Sequence, residues 1–288
     1  ENVRGVSLPS QFSSQGSLDD ARLLAANLGA GVTNLGRGVF AGCTLLDPIS
    51  VSEGNRAFSS REGVLFNKDQ TIILTCPEGI SGGYTVPNTV TNIGHYAFQS
   101  CLGLTNVVIP GSVAGIGGYA FASVARLTGI TIPDSVTTLD ESVFSDCTGL
   151  REVSIPHSII RIGNSAFSRC VSLANLTIPN SVRSIGYWAF YGCTSLAAIT
   201  VDPANSRFSS LDGVLFDKSQ SILIQYPESK TEGDYTILNS VTFIGDDAFS
   251  GCRSLTSISF GGNALTDIGD LFSGAPFVTV FHRPNTAG

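Results

Sequence analysis

The chain has no methionine, a single tryptophan and unusually few charges, which make up 14% of its residues against about a quarter in an ordinary soluble domain. The few charges lean acidic: 16 Lys and Arg face 23 Asp and Glu, for a net charge of −7. Nucleic-acid binders carry a basic surplus that neutralises phosphates, so no nucleic-acid partner is expected. No apolar run reaches the ~18 residues of a membrane helix, so no membrane-spanning segment is expected either. A basic stretch leading into an apolar one, the mark of a leader peptide, is missing too; a chain opening at Glu1 reads as processed or excised. Histidine occurs three times, at His95, His157 and His282, with no common neighbourhood in the sequence. That pattern argues against a histidine-built catalytic or metal centre. Disorder is excluded, because 42% of the 288 residues are apolar, far above what unfolded chains carry.

What the chain does have is a repeat. Pro87, Pro110, Pro133, Pro156 and Pro179 stand 23 residues apart, and the text between them follows P-x-S-V-x-x-I-G-x-x-A-F-x-x-C-x-x-L-x-x-I-x-I. The Phe column holds Phe40, Phe98, Phe121, Phe144, Phe167, Phe190 and Phe249. Three residues on come Cys43, Cys101, Val124, Cys147, Cys170, Cys193 and Cys252. The Gly column runs Gly36, Gly94, Gly117, Gly163, Gly186 and Gly245, with Asp140 the exception. A fixed period of this length marks a solenoid, in which each unit buries its apolar face only against its neighbours.

Periodicity changes within the unit. The I-x-I end alternates with period two, as a half-buried strand does, from Ile49/Val51 through Ile130/Ile132 to Ile258/Phe260. The I-G-x-x-A-F-x-x-C-x-x-L stretch spaces its apolar residues by three and four, which predicts a short helix or 3₁₀ turn. The Gly before it is expected to allow a tight bend or a positive φ. Strand plus short helix in each unit makes the expected fold class α/β.

Two units are longer. Segments 51–84 and 201–235 match at an offset of 150, and each carries a GVLF run and a second apolar run, Ile72–Leu74 or Ile222–Ile224, around a polar link. This predicts two β-hairpin insertions projecting from the solenoid, near 61–76 and 211–226. Residues 1–30 do not fit the template. Ser17, Asp20, Ala21, Leu24 and Leu28 before Gly29 predict a capped amphipathic helix. The expected organisation is an N-terminal helical cap over 1–30, a solenoid over 31–281, and a tail over 282–288. The last coil is degenerate around Gly261 and Phe272, and no clear cap follows Phe281.

These residues give the chain its resemblance to the BspA-type leucine-rich repeat family, whose units of about 23 residues read much like this template and whose arrays often include longer units with DGVLFNK-like text. The resemblance covers about 31–281. It implies a right-handed solenoid with a parallel β-sheet on one face and short helices or 3₁₀ turns on the other. It also implies a secreted or cell-surface location, with adhesion to matrix proteins or other cells among the activities of relatives. It implies no shared catalytic residues, and neither an enzyme nor a cofactor is expected.

The candidate sites follow from what the template leaves exposed. The outward position between the two strand residues holds Thr85, Val108, Thr131, Ser154, Thr177, Thr200 and Thr236, a ladder rich in hydroxyls. It reads either as good strand chemistry that stays soluble without charge or as a binding face. Tyr187, Trp188 and Tyr191 fall at variable positions of one unit; they form either edge packing between units or an aromatic patch of the kind that anchors interfaces. Asn175 opens the N-x-[ST] sequon Asn175-Leu176-Thr177, a candidate glycosylation position. The cysteine column reads as buried thiols or, since stacked units bring such residues within disulfide reach, as one or more disulfides. The expected function is non-enzymatic binding or adhesion, with a protein or glycan on a host or neighbouring cell surface as partner. The alternative is a structural subunit of a filament, sheath or surface layer that self-associates by end-to-end stacking.

Overall fold

The structure is a computed structural model, described for residues 6–8, 23–260 and 279–282. Each regular coil supplies one long strand, one two-residue strand and a run of turns. The long strands include Ile49–Val51, Gly103–Val108, Gly129–Thr131, Glu152–Ser154, Asn175–Ile178, Ala198–Val201, Asp234–Ile237 and Ser257–Phe260. Neighbours pair in parallel in steps of the repeat, with Gly129 opposite Glu152 and Asn175 opposite Ala198. A second parallel row is made by Asn92–Ile93, Gly115–Ile116, Thr138–Leu139, Arg161–Ile162 and Ser184–Ile185. These residues sit where the apolar spacing predicted the start of a helix.

No helix occurs among the described residues, so the α/β expectation with its short helices is corrected to an all-β solenoid. The backbone of the turn row shows why. φ is positive two residues before and two residues after each column Phe: at Gly38 and Gly42, Tyr96 and Ser100, Tyr119 and Ser123, Ser142 and Asp146, Ser165 and Arg169, Trp188 and Gly192, and Asp247 and Gly251. A helix needs successive negative φ values, and two left-handed residues per coil prevent it. Each such non-glycine residue costs about 1 kcal/mol. The strain is offset by hydrogen bonds between coils, because alternate amides are turned outward. The amides of Tyr96, Phe98 and Ser100 donate to the carbonyls of Gly118, Ala120 and Ala122 at 3.2, 2.7 and 2.9 Å. Spacing of three arises here from turns, which close their own i to i+3 bonds, such as Cys101 N–H to Phe98 O at 3.2 Å.

The Gly column serves close approach, whereas the sequence left open a positive φ. A Cβ on Gly117 would lie 2.7 Å from the His95 amide nitrogen, and one on Gly163 2.7 Å from the Asp140 carbonyl carbon. Any larger residue would push the coils apart. Inside, the Phe column stacks ring on ring from Phe98 through Phe121, Phe144 and Phe167 to Phe190, with centroids 5.0 to 6.1 Å apart. Such pairs add about 0.5–1.5 kcal/mol each beyond area burial.

The two longer units are three-stranded antiparallel meanders. The first comprises Phe58–Arg61, Val64–Asn67 and Ile72–Thr75, the second Phe208–Leu211, Val214–Asp217 and Ile222–Gln225. They do not project. Their last strands join the short-strand row in parallel, Ile72 opposite Asn92 and Ile222 opposite Phe243. Their middle strands cross the interior. Leu65 packs into the N-terminal core with Leu46 and Ile49, while Val64 and Phe66 pack into the central core. Leu215 faces the central core, and Val214 and Phe216 face the C-terminal core. Period-two alternation with both faces apolar makes each middle strand a wall between compartments.

Two buried polar residues pin each wall. Asn55 donates to the carbonyls of Gly29 and Val32 and accepts from the amides of Ala57 and Phe58. Asn205 repeats this with Pro179, Val182, Arg207 and Phe208. After the meander, Glu78 Oε1 accepts from the Gly42 amide at 2.8 Å and Glu228 Oε1 from the Gly192 amide at 2.6 Å. Each carboxylate stands in for the carbonyl that the next coil supplies elsewhere.

The N-terminal cap is also corrected. Ala26–Leu28 is a strand, pairing in parallel with Val6–Leu8 on one side and Ile49–Val51 on the other. Ala26 and Leu28 are buried while Asn27 is exposed, the period-two pattern of a strand. Ser17, Asp20 and Ala21 of the expected helix, and Gly261 and Phe272 of the degenerate coil, lie outside the described residues. At the other end, Thr279–His282 pairs in parallel with Ser257–Phe260.

Candidate functional site

The hydroxyl ladder lies where the template puts it. Thr85, Val108, Thr131, Ser154, Thr177, Thr200 and Thr236 are all exposed, with Thr85 beside Val108, Thr131 beside Ser154, and Thr177 beside Thr200 in register. Asn175 is exposed at the start of its strand. The stripe is interrupted at both meanders, however. The Ile49 amide donates to the Gly63 carbonyl and the Ile199 amide to that of Gly213, so a meander turn occupies the edge where the next long strand would pair.

Cysteine fills a different role. All seven thiols are buried and none is joined in a disulfide. Cys147, Cys170 and Cys193 donate S–H to the carbonyls of Phe121, Phe144 and Phe167, at 3.0 to 3.1 Å. Burial pushes the Cys147 and Cys193 thiols up to about 12, which removes the thiolate on which reactivity depends. Among the described residues no group of three or more His, Cys, Asp or Glu is placed to hold a metal ion, and no helix is long and apolar enough to cross a membrane.

The aromatic residues line an open cleft. Tyr187 is 72% exposed and Trp188 56%, while Tyr191 is half-buried. Their coil is the last before the second meander, so the following regular coil, with Asp246 and Asp247, stands off from it. Between the two coils lies a cleft of about 490 Å3. Ile185, Phe208, Ile224 and Phe243 supply its apolar lining, and Asn164, Gln225, Asp246 and Asp247 its polar groups. Trp188 spans the gap: its indole Nε1 donates to Asp247 Oδ2 at 2.9 Å. This fixes the ring at a left-handed backbone position, where φ is 56°. On its other side Trp188, with Tyr191, Arg169 and Asp247, lines a second depression of about 330 Å3.

A hydrogen-bonded, exposed indole beside apolar and carboxylate groups has the composition of a binding pocket, with apolar area for affinity and a few fixed polar atoms for orientation. Sequence reasoning singled out the three aromatics but missed Asp246, Asp247, Gln225 and Phe208. The signal lay in the alignment of units. Tyr187 and Asp246 share a column, as do Trp188 and Asp247, and only the long unit between them keeps these coils from stacking directly.

The chain is similar to a leucine rich cell surface protein from Faecalibacterium prausnitzii, at 26% identity and a TM-score of 0.59 over 90% of this chain and 64% of that one. It is also similar to a leucine-rich repeat protein from Eubacterium ventriosum, at 21% identity and a TM-score of 0.62 over 86% of this chain and 63% of that one. The chain thus spans less than two thirds of the length of either. Comparison with curated proteins yields no match. The family model described as the BspA type leucine rich repeat region matches six copies over residues 83–197 and 226–278, more than half of the chain. A parallel solenoid with this repeat and this match places the chain in the BspA-type leucine-rich repeat family.

Proposed function

We propose that the chain is a non-enzymatic binding module of a bacterial cell surface or of the extracellular space, and that it binds through the cleft at Trp188. The observation that carries this reading is the exposed Trp188 ring, locked by Asp247 beside an open cavity. An exposed aromatic held in one orientation loses little entropy on binding and contributes disproportionately to affinity. Likeness to a bacterial cell surface protein supports the location, and the family supports a scaffold role.

The test is binding of the labelled protein to arrayed glycans and to matrix and cell-surface proteins. Saturable binding at micromolar concentration is expected. Its absence across the arrays would contradict the reading. The competing assignment, a filament or layer subunit that stacks end to end, predicts light scattering that grows with concentration; a monomer that binds is the outcome expected here.

A further inference from the structure

The cleft does not end at its apolar floor. Phe208 and Ile224 also line a neighbouring depression of about 490 Å3, whose walls carry Arg183, Arg207 and Lys218. The two depressions meet at these shared residues and form one groove. Its charge reverses along its length. The aromatic end has Asp246 and Asp247 and no basic side chain in its lining. At the other end Arg183 Nη1 donates to the Asn180 carbonyl and Lys218 Nζ to that of Pro203. Neither these two cations nor Arg207 forms an ion pair with a carboxylate among the described residues. The acid at that end, Asp217, is already engaged by the Ser219 and Ser221 hydroxyls and the Ile222 amide.

We propose that the groove binds an extended polypeptide segment of a partner protein that carries a basic side chain and an acidic side chain in fixed order. The basic group, a guanidinium or ammonium, lies against Trp188 and Tyr187 beside Asp246 and Asp247. The acidic group lies near Arg207 and Lys218. Aromatic faces and carboxylates together favour an organic cation, and the opposite charges beyond Ile224 repel it and set direction. A neutral sugar would use the aromatic faces but not the two-signed charge. The proposal rests on the binding-module reading and names its partner class.

Trp188 is the only tryptophan in the chain, so its fluorescence reports on this part of the surface, and the Asp246 and Arg207 variants assign the response to the groove. The experiment titrates the protein with short Gly/Ser peptides bearing one arginine and one glutamate, in both orders and at varied separation. Arginine-only and glutamate-only peptides, a tetramethylammonium salt and neutral oligosaccharides are titrated in parallel. One peptide order is expected to shift Trp188 emission at least about tenfold more tightly than the reverse order, and to weaken as salt rises. Asp246→Asn is expected to weaken that peptide about tenfold yet leave an arginine-lacking peptide unaffected, a coupling that loss of structure would not produce. Arg207→Ala is expected to do the same for the glutamate.

Equal binding of both orders, binding of the ammonium salt alone, or a response to oligosaccharides with none to peptides would overturn the proposal. Any binding in these last cases would leave the module reading standing. Surface binding by the whole protein that survives Asp246→Asn with Arg207→Ala would likewise sink the groove proposal alone. If the protein binds neither peptides nor any arrayed surface, the module reading fails together with it.

Discussion

The two meanders are one device used twice, with different outcomes. Both wall off a compartment, both are pinned by a buried Asn, and both end in a Glu that caps the preceding coil. Yet the space beside the first is a cavity of about 10 Å3, whereas that beside the second holds about 490 Å3. The same positions line both: Gly38, Ala41, Thr75 and Tyr96 in the first correspond to Trp188, Tyr191, Gln225 and Asp247 in the second. At the first, Tyr96 closes over Gly38, where an added Cβ would lie 3.9 Å from the tyrosine Cγ. At the second the large ring has changed sides, and a carboxylate stands opposite. Trp188 therefore arches to Asp247 and leaves the floor open. A conserved wall with an exchanged pair of lining residues separates what the fold requires from what the site has gained.

The largest effects should be common to both meanders. Phe66→Ala and Phe216→Ala each remove a fully buried ring and are expected to cost about 3–5 kcal/mol in denaturant unfolding. Costs under about 1 kcal/mol would mean that the meanders project after all. Asn55→Ala and Asn205→Ala are expected to cost about 2 kcal/mol or more, since each strands several buried backbone groups; thermal melts that differ widely between the two would break the equivalence.

Exchanging the lining residues sharpens the contrast. Gly38→Trp forces a ring into the narrow space under Tyr96 at φ 63° and is expected to destabilise by about 1–3 kcal/mol. Trp188→Gly relieves a left-handed residue and loses a mostly exposed ring, so stability should change by less than about 1 kcal/mol. Equal and large costs would contradict the picture of one filled and one open cleft.

The smallest effect concerns Glu228. Burial raises its carboxyl above the usual value, against the pull of the Gly192 amide and Arg253. A carboxyl with a raised folded pKa adds to stability below its unfolded pKa and loses that contribution as pH rises through the folded value. Glu228→Gln keeps an acceptor for Gly192 and removes the buried charge. Its melting temperature should match the parent at acid pH and slightly exceed it at neutral pH; the opposite order would show that the carboxylate is net favourable there.

The long-strand row was legible because I-x-I has a period that only a strand satisfies, and the parallel stack because the period is constant. The turn row was not. A spacing of three reads alike in a helix and in successive turns, and the left-handed positions that decide between them hold Tyr, Ser, Asp, Arg and Trp as well as Gly, so no residue type marks them. The strand at Ala26–Leu28 lies one repeat before Ile49–Val51, but alanine in place of isoleucine hid it behind helix-like spacing. The GVLF runs announced antiparallel pairing, read as two-stranded hairpins near 61–76 and 211–226, whereas a further strand, Phe58–Arg61 or Phe208–Leu211, makes each a meander. That they lie inside was less visible, although three consecutive apolar residues already imply burial on both faces. Among site residues, the aromatics showed themselves by being bulky at variable positions, while Asp246 and Asp247 were ordinary surface acids until the stack placed them across from Trp188.

The most direct test sets the cleft against the strand face in the surface-binding assay. One variant copies the lining of the first meander, Trp188→Gly with Tyr191→Ala; the other burdens the hydroxyl ladder, Thr131→Asp with Thr177→Asp. The account predicts that the first loses at least about tenfold in affinity while the second binds like the parent. Loss of binding in the ladder variant with full binding in the cleft variant would contradict it.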